Sequence, residues 1–308
     1  MDWKSTWNLN PSCYRPQTKM FYIYEHRPGV YRAMFIYRPI NKMPDNTSNI
    51  NYSCHFTVFR EGEQFVTHHS LAMVISGEME LNDGIQRKMF RKGDIYLARK
   101  NQLLKFIKSP TEKEEFKSLS IRFGDELLRQ VSAREAFQLE EKLTTPSFID
   151  LSAAPHLSYF MESLLQYQDL LENKAPELLE LKQQEALMLL FAYDKNLKKV
   201  LFDFSDPYKI NLEEFMQQNY HFNVRLERFA YLTGRSLATF KRDFQKIFQT
   251  SPRNWLQQRR LQEAYFLITK KRQRPNDIYL DLGFEDLSHF SFAFRKQFGQ
   301  APSELLKS

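Results

Sequence analysis

Lys241 and Arg242, within Ser236-Leu237-Ala238-Thr239-Phe240-Lys241-Arg242-Asp243-Phe244-Gln245, hold the side chains with the clearest chemistry in this sequence. A basic side chain can donate charge-assisted or bidentate hydrogen bonds to guanine, and Ala, Ser or an aromatic ring can touch the methyl group of thymine. In helical register Ala238, Lys241, Arg242 and Gln245 share one face. Fifty residues later Ser288, Ser291, Phe292 and Arg295 occupy the matching positions. Short, polar and basic side chains dominate both faces, a chemistry suited to a nucleic-acid groove.

Those faces need helices behind them, and the opposite stripe supplies the reason for the helices to dock. Leu237, Phe240, Phe244 and Phe248 recur as Leu287, Phe290, Phe294 and Phe298, with Pro252 matched by Pro302. Spacing at i, i+3, i+7 and i+11 buries one stripe of a helix, and proline fits the first helical turn of the next. A short helix and a tight turn precede each copy: Leu226, Phe229 and Ala230 before Thr233-Gly234-Arg235, then Ile278 and Leu282 before Gly283-Phe284. Each copy therefore reads as helix, turn, helix. Between them Arg253 to Lys270 predicts a rod of about 27 Å, with Ser251 as its N-cap. Two groove helices on such a rod suit successive major-groove segments roughly 34 Å apart.

Charge follows the same division. Of the 44 Lys+Arg and 37 Asp+Glu, residues 205–308 hold 17 and 11, so almost the whole net charge of +7 lies in the C-terminal third. A localised basic excess is the footprint of a polyanion binder. At 308 residues, 42% hydrophobic and 26% charged, the chain suits two folded domains. Met1 to Asn10 is polar, and no window approaches 18 uncharged apolar residues, so neither a signal peptide nor a membrane span is expected and the cytoplasm is. Cys13 and Cys54 have no CxxC spacing and predict neither a disulfide framework nor a zinc site.

The N-terminal half reads differently. Short strands are expected at 55–59, 71–75, 78–81, 95–97, 103–107 and 116–123, with turns at Asn82-Asp83-Gly84 and Arg91-Lys92-Gly93-Asp94. From Pro155 the period turns helical: Leu157, Phe160, Met161, Leu164, Leu165 and Leu171, then a break at 173–176 and a second apolar helix to Tyr193. Asp203 to Pro207 has linker composition. The expected domains are 1–150, a sheet-rich regulatory unit; 151–202, a helical hairpin; 203–209, a linker; and 210–308, an all-α DNA-binding unit.

The segment from Asn211 to Lys307 resembles the DNA-binding domain of the arabinose-regulator (AraC/XylS) family. The match rests on Ile278, Gly283-Phe284, Ser288-His289-Phe290, Phe294-Arg295-Lys296, Phe298-Gly299 and Pro302-Ser303. Tyr279, where the family prefers Ala, and Phe292, where a polar residue is common, depart from it. The resemblance implies a bacterial transcription regulator with groove-facing Ser236, Ala238, Lys241, Arg242, Ser288, Ser291 and Phe292. Gln245 joins them by register, and Arg295 and Lys296 are assigned to phosphates together with the Lys270 to Arg274 cluster. His289, between two landmark residues, reads as a packing or capping residue.

His68-His69, Ser76-Gly77-Glu78 and Lys92-Gly93-Asp94 resemble a cupin-type barrel, the sensing domain of many family members. The fold class is thus α+β multidomain: a cupin-like β-barrel with a helical hairpin, then a double helix-turn-helix domain. Enzymatic cupins close a metal site with a His on a second motif; here that region reads Asn101-Gln102-Leu103, so no metal, cofactor or catalytic residue is expected, and the His pair reads as a surface feature at a strand end. Double-stranded DNA, RNA polymerase and an effector, small molecule or protein, are the expected partners, with homodimerisation through the hairpin. The competing readings are a metal-dependent cupin enzyme with an accessory nucleic-acid-binding tail, and an architectural protein without sequence preference.

Overall fold

The computed structural model describes residues 50–60, 64–137, 145–167 and 175–307. Cys13, Leu171 and the polar N-terminus lie outside them. The strands are β1 (Ile50–His55), β2 (Phe59–Arg60), β3 (Phe65–Val66), β4 (His69–Ser76), β5 (Glu78–Asn82), β6 (Arg87–Phe90), β7 (Ile95–Ala98), β8 (Gln102–Leu103), β9 (Lys105–Ser109), β10 (Phe116–Phe123) and β11 (Phe148–Asp150). They form an antiparallel five-stranded sheet in the order β1-β10-β4-β7-β11, a four-stranded sheet β2-β9-β5-β6 and the ladder β3-β8. Among the described residues these are open sheets, and no single closed barrel is formed.

The alternation of side chains along a strand explains how one sheet serves two cores. Ala72, Val74, Tyr96, Ala98, Phe116 and Phe148 on one face of the large sheet meet Met79, Leu81 and Phe90 of the small one. Leu71, Met73, Ile95, Leu97, Leu119, Ile121 and Phe123 point the other way. They pack on helices α1 (Asp125–Arg134), α2 (Pro155–Leu165), α3 (Pro176–Tyr193) and α4 (Leu197–Leu201). A strand buried on both faces reads as a continuous apolar run, as Leu71 to Ile75 does.

Sequence and structure differ in places with physical reasons. The strand expected at 55–59 lies instead at Ile50–His55 and Phe59–Arg60, separated by a bend. Polar Arg87–Phe90 pairs with β5 although only Phe90 is buried. The strand at 103–107 is divided at Leu104, which leaves the ladder to enter the core at 0% exposure. His69 is not a surface residue: it is 2% exposed, and burial together with Lys100 and Arg99 pushes its pKa down to about 3.

Residues 203–211 carry no regular structure. The helices that follow are α5 (Leu212–Asn219), α6 (Leu226–Leu232), α7 (Leu237–Phe248), α8 (Pro252–Lys271), α9 (Pro275–Ile278), α10 (Leu287–Phe298) and α11 (Pro302–Lys307). The first turns are fixed by caps: the side chains of Asn211, Ser236, Ser251 and Asp286 accept backbone N–H groups of α5, α7, α8 and α10. Both striped helices end in a left-handed residue fifty positions apart, Gln249 (φ 55) in the first and Gly299 (φ 79) in the second. A side chain in that conformation is strained, and glycine relieves it. Gln249→Gly should therefore raise stability by about 0.5 to 1 kcal/mol. A melting midpoint unchanged or lowered in calorimetry would refute this.

Candidate nucleic-acid interface

Phe240 and Phe244 of α7 and Phe290 and Phe294 of α10 are each 0% exposed, so the two stripes are core and the faces opposite them are outward. The rod α8 shares itself between the units. Leu256 near its start joins Phe222, Phe229, Phe240 and Phe244, whereas Leu261, Ala264 and Ile268 join Ile278, Phe284, Phe290 and Phe294. Its 20 residues span about 30 Å.

On the outward side Ser236, Ala238, Lys241, Arg242 and Gln245 are all exposed. Ser236 is engaged as well, accepting from the Thr239 N–H at 3.3 Å as the helix cap. In the second unit Ser288, Arg295 and Lys296 are exposed and Ser291 is half-buried. Phe292 is 71% exposed. An aromatic ring left in water on a helix whose partner ring Phe294 is fully buried is not serving the core. Tyr279, the other departure, packs half-buried against the second core. His289 donates its backbone N–H to the Asp286 carboxylate at 2.6 Å, so its place is in the cap, with its ring 6.0 Å from that of Phe284.

Two arginines that periodicity leaves unmarked hold this arrangement. The Arg260 guanidinium donates from Nε to the Tyr220 carbonyl, from Nη2 to that of Phe222 and from Nη1 to that of Gly283, each at 2.8 Å. It thus joins the loop below α6 to the turn of the second unit, and burial pushes its pKa down to about 10. A Cβ on Gly283 would lie 2.8 Å from the Arg260 guanidinium carbon and 2.9 Å from the His221 carbonyl, so only glycine fits that turn, at φ +85. Arg235, in the turn of the first unit, reaches Asp243 of α7 at 3.2 Å. The sequence signal that could have found both is an arginine within an otherwise apolar stripe or turn.

The N-terminal half touches both units. Leu103 belongs to the core of the first, and Phe65 packs against it. Asn101 donates to the Tyr231 hydroxyl at 3.0 Å, Gln64 accepts from the Asn223 N–H at 2.9 Å, and Lys105 donates to the Asp281 carbonyl of the second unit at 2.6 Å. Beside this seam a cleft of about 440 Å³ is lined by His69, Arg99, Asp203, Tyr208, Leu103 and Phe215 among others.

The histidines and the glutamate of the cupin motif do not converge. His68 is exposed and bonded to Thr67 at 2.9 Å, His69 is buried on the adjoining strand position, and Glu78 is ion-paired with Arg91 at 3.1 Å. Among the described residues no group of three or more His, Cys, Asp and Glu is placed to hold a metal ion. No helix among them is long and apolar enough to cross a membrane.

Comparison with known proteins matches two segments of the chain. Residues 229–308 match the helix-turn-helix domain family, and residues 69–204 match the ExsA N-terminal regulatory domain family. The HTH-type transcriptional regulator ExsA of Pseudomonas aeruginosa is 25% identical over 256 residues, covering 82% of this chain and 90% of that protein. The XylDLEGF operon transcriptional activator of Pseudomonas putida is 28% identical over 125 residues, 40% of this chain and 39% of that protein. These matches support an AraC/XylS-type transcription regulator. The virulence regulon transcriptional activator VirF of Yersinia enterocolitica is 28% identical over 167 residues, 53% of this chain and 61% of that protein. A 1.65 Å structure of ToxT from Vibrio cholerae aligns over 84% of this chain and 97% of its own, at 14% identity and a TM-score of 0.38. The matched segments give this chain a region like an N-terminal regulatory domain at 69–204 and one like a helix-turn-helix domain at 229–308.

Proposed function

We propose that this AraC/XylS regulator reads its operator unequally, base edges chiefly through the first unit and phosphates chiefly through the second. The observation that carries this reading is the unequal chemistry of two outward faces held on one rod. Lys241 and Arg242 offer charged donors to guanine, with Ser236, Ala238 and Gln245 beside them. Ser288 and Ser291 offer hydroxyls, Phe292 an exposed ring for a thymine methyl, and Arg295 and Lys296 cations for the backbone.

The domain boundaries proposed are 1–150, 151–202, 203–209 and 210–308. The facing sheets of the first are proposed to be a cupin-like sandwich whose interior is filled by Phe90, Phe116 and Phe148. An effector, small molecule or protein, is proposed to act on that domain. Tyr159, Leu181 and Met188, each more than 60% exposed on α2 and α3, support homodimerisation through the helical pair. RNA polymerase is the proposed partner for activation, and the cytoplasm the proposed location.

Selection of bound fragments from a random DNA pool, followed by competition with random duplex, tests the reading. A defined motif is expected, and equal affinity for random duplex would leave the architectural alternative. On that motif Arg242→Ala should cost about 1 to 3 kcal/mol of discrimination at one base pair. Arg295→Ala should instead weaken all sequences alike and reduce the salt slope by about one. Equal loss of discrimination at both half-sites would show that the units share base reading evenly.

A further inference from the structure

We propose that Arg235 and Asp243 are positioning residues for Arg242, and that they tie its guanidinium to the segment joining the two halves of the chain. This rests on the proposed base-reading role of Arg242.

The joining segment is strapped across the turn of the first unit. A Cβ on Gly234 (φ +63) would fall 2.4 Å from the Tyr208 carbonyl carbon and 2.5 Å from the Lys209 nitrogen, so the two backbones are in direct contact there. Arg235, its side chain 6% exposed, donates from Nη1 to the Ile210 carbonyl at 3.0 Å and to the Thr233 carbonyl at 2.6 Å. Its Nε meets Asp243 Oδ2 at 3.2 Å. The same carboxylate faces Lys209 Nζ at 3.7 Å, and its Oδ1 faces Arg242 Nε at 3.8 Å. The Arg235 hydrogen bond holds the Asp243 carboxyl below its ordinary pKa range, so it stays charged.

This geometry acts on the cost of reading a base. A free arginine carries about 2 kcal/mol of rotamer entropy, part of which is lost on forming a forked contact. A carboxylate on the Nε side restricts the guanidinium before DNA arrives. It does so through Nε, which leaves the two terminal nitrogens to fork onto guanine O6 and N7. Arg235 is the reason the carboxylate stays put, and Ile210 and Thr233 are the reason Arg235 does. Movement of residues 208–210 therefore reaches Arg242 through two side chains. The second unit lacks the device, since fifty positions on from Arg235 and Asp243 stand Glu285 and buried Ala293.

A double-mutant cycle on the full chain tests this, using the duplex recovered by selection and its single-base variants. Asp243→Asn keeps the shape and an acceptor for Arg235 but removes the charge. It should lower discrimination at the base pair read by Arg242 by about two- to fivefold, without weakening binding to random duplex. Asp243→Asn combined with Arg242→Ala should discriminate no worse than Arg242→Ala alone, and Asp243→Glu should recover part of the loss. Arg235→Lys, which cannot span Ile210, Thr233 and Asp243 together, should lose discrimination at the same base pair, and melting curves show that each variant is folded. Additive losses in the double variant, or a wild-type profile for Asp243→Asn where Arg242→Ala is impaired, overturn the proposal. An unchanged profile for Arg242→Ala itself overturns the base-reading role, and the positioning role with it.

Discussion

Arg260→Ala is expected to destabilise the DNA-binding half by about 3 kcal/mol, a fall of roughly 10 to 20 °C in its melting transition. The guanidinium serves three carbonyls at once, those of Tyr220, Phe222 and Gly283. Truncation leaves all three without that donor in a half-buried site between the two units. Unsatisfied enclosed acceptors cost about 1 to 3 kcal/mol each, and water entering the gap recovers part of that. Arg260→Lys should recover little, because one ammonium cannot reproduce a planar fork aimed in three directions. The clamp joins the two units, so affinity for a complete operator should fall more than affinity for a half-site. Scanning calorimetry and half-site binding check both outcomes. A midpoint within about 2 °C of wild type would show that the clamp holds nothing that the two cores do not hold already.

How much of this was legible in the sequence depends on whether a contact leaves a periodic trace. Phe240, Phe244, Phe290 and Phe294 announce their burial by spacing, and Ser251 and Pro252 announce a helix start; the structure buries the four rings and caps that helix on Ser251. The apolar runs at 71–75, 78–81, 95–97 and 116–123 lie within strands for the same reason. Helix α1 was not legible because Asp125 to Arg134 buries only Leu127 and Leu128, too short a stripe to stand out. His69 looks like a surface residue from composition, yet its strand is covered on both sides. At the face proposed to meet DNA, register was enough to place Ala238, Lys241, Arg242 and Gln245 outward, and Phe292 with them. The groups that hold those side chains, Arg235, Asp243 and Arg260, act across turns and between units, where sequence spacing says nothing about partners. The same limit hid the seam. Leu103 reads as one more strand residue, and periodicity records that it is buried without recording against what.

Leu103 gives the second large effect, because it is a residue of the regulatory half in the core of the DNA-binding half. It is 6% exposed and belongs with Phe222, Phe229 and Phe240. Arg228 of the first unit lies over the Phe65 ring at 4.5 Å, and Gln64 and Asn101 bond to Asn223 and Tyr231 around the same place. Leu103→Ala in the full chain should therefore cost about 2 to 3 kcal/mol, near the low end for a buried leucine because the site sits at a seam that can close. A fragment of residues 205–308 keeps both Phe cores and the basic excess, and is expected to fold and to bind the selected duplex. It should melt below the same segment in the full chain by at least the Leu103→Ala difference, since it lacks Leu103, Phe65 and the flanking hydrogen bonds together. The deficit belongs chiefly to the first unit, whose core is left open, while among the described residues the second loses the Lys105 bond to the Asp281 carbonyl and the attraction between Arg87 and Asp281. Amide exchange should accordingly show α6 and α7 opening more readily in the fragment, with α10 nearly unchanged. Equal protection of α7 and α10, or a fragment as stable as the full chain, would mean that the seam is a contact without coupling. An effector that draws the regulatory domain away from the seam then weakens the unit that carries Arg242 first, which places control on the half of the interface proposed to read bases.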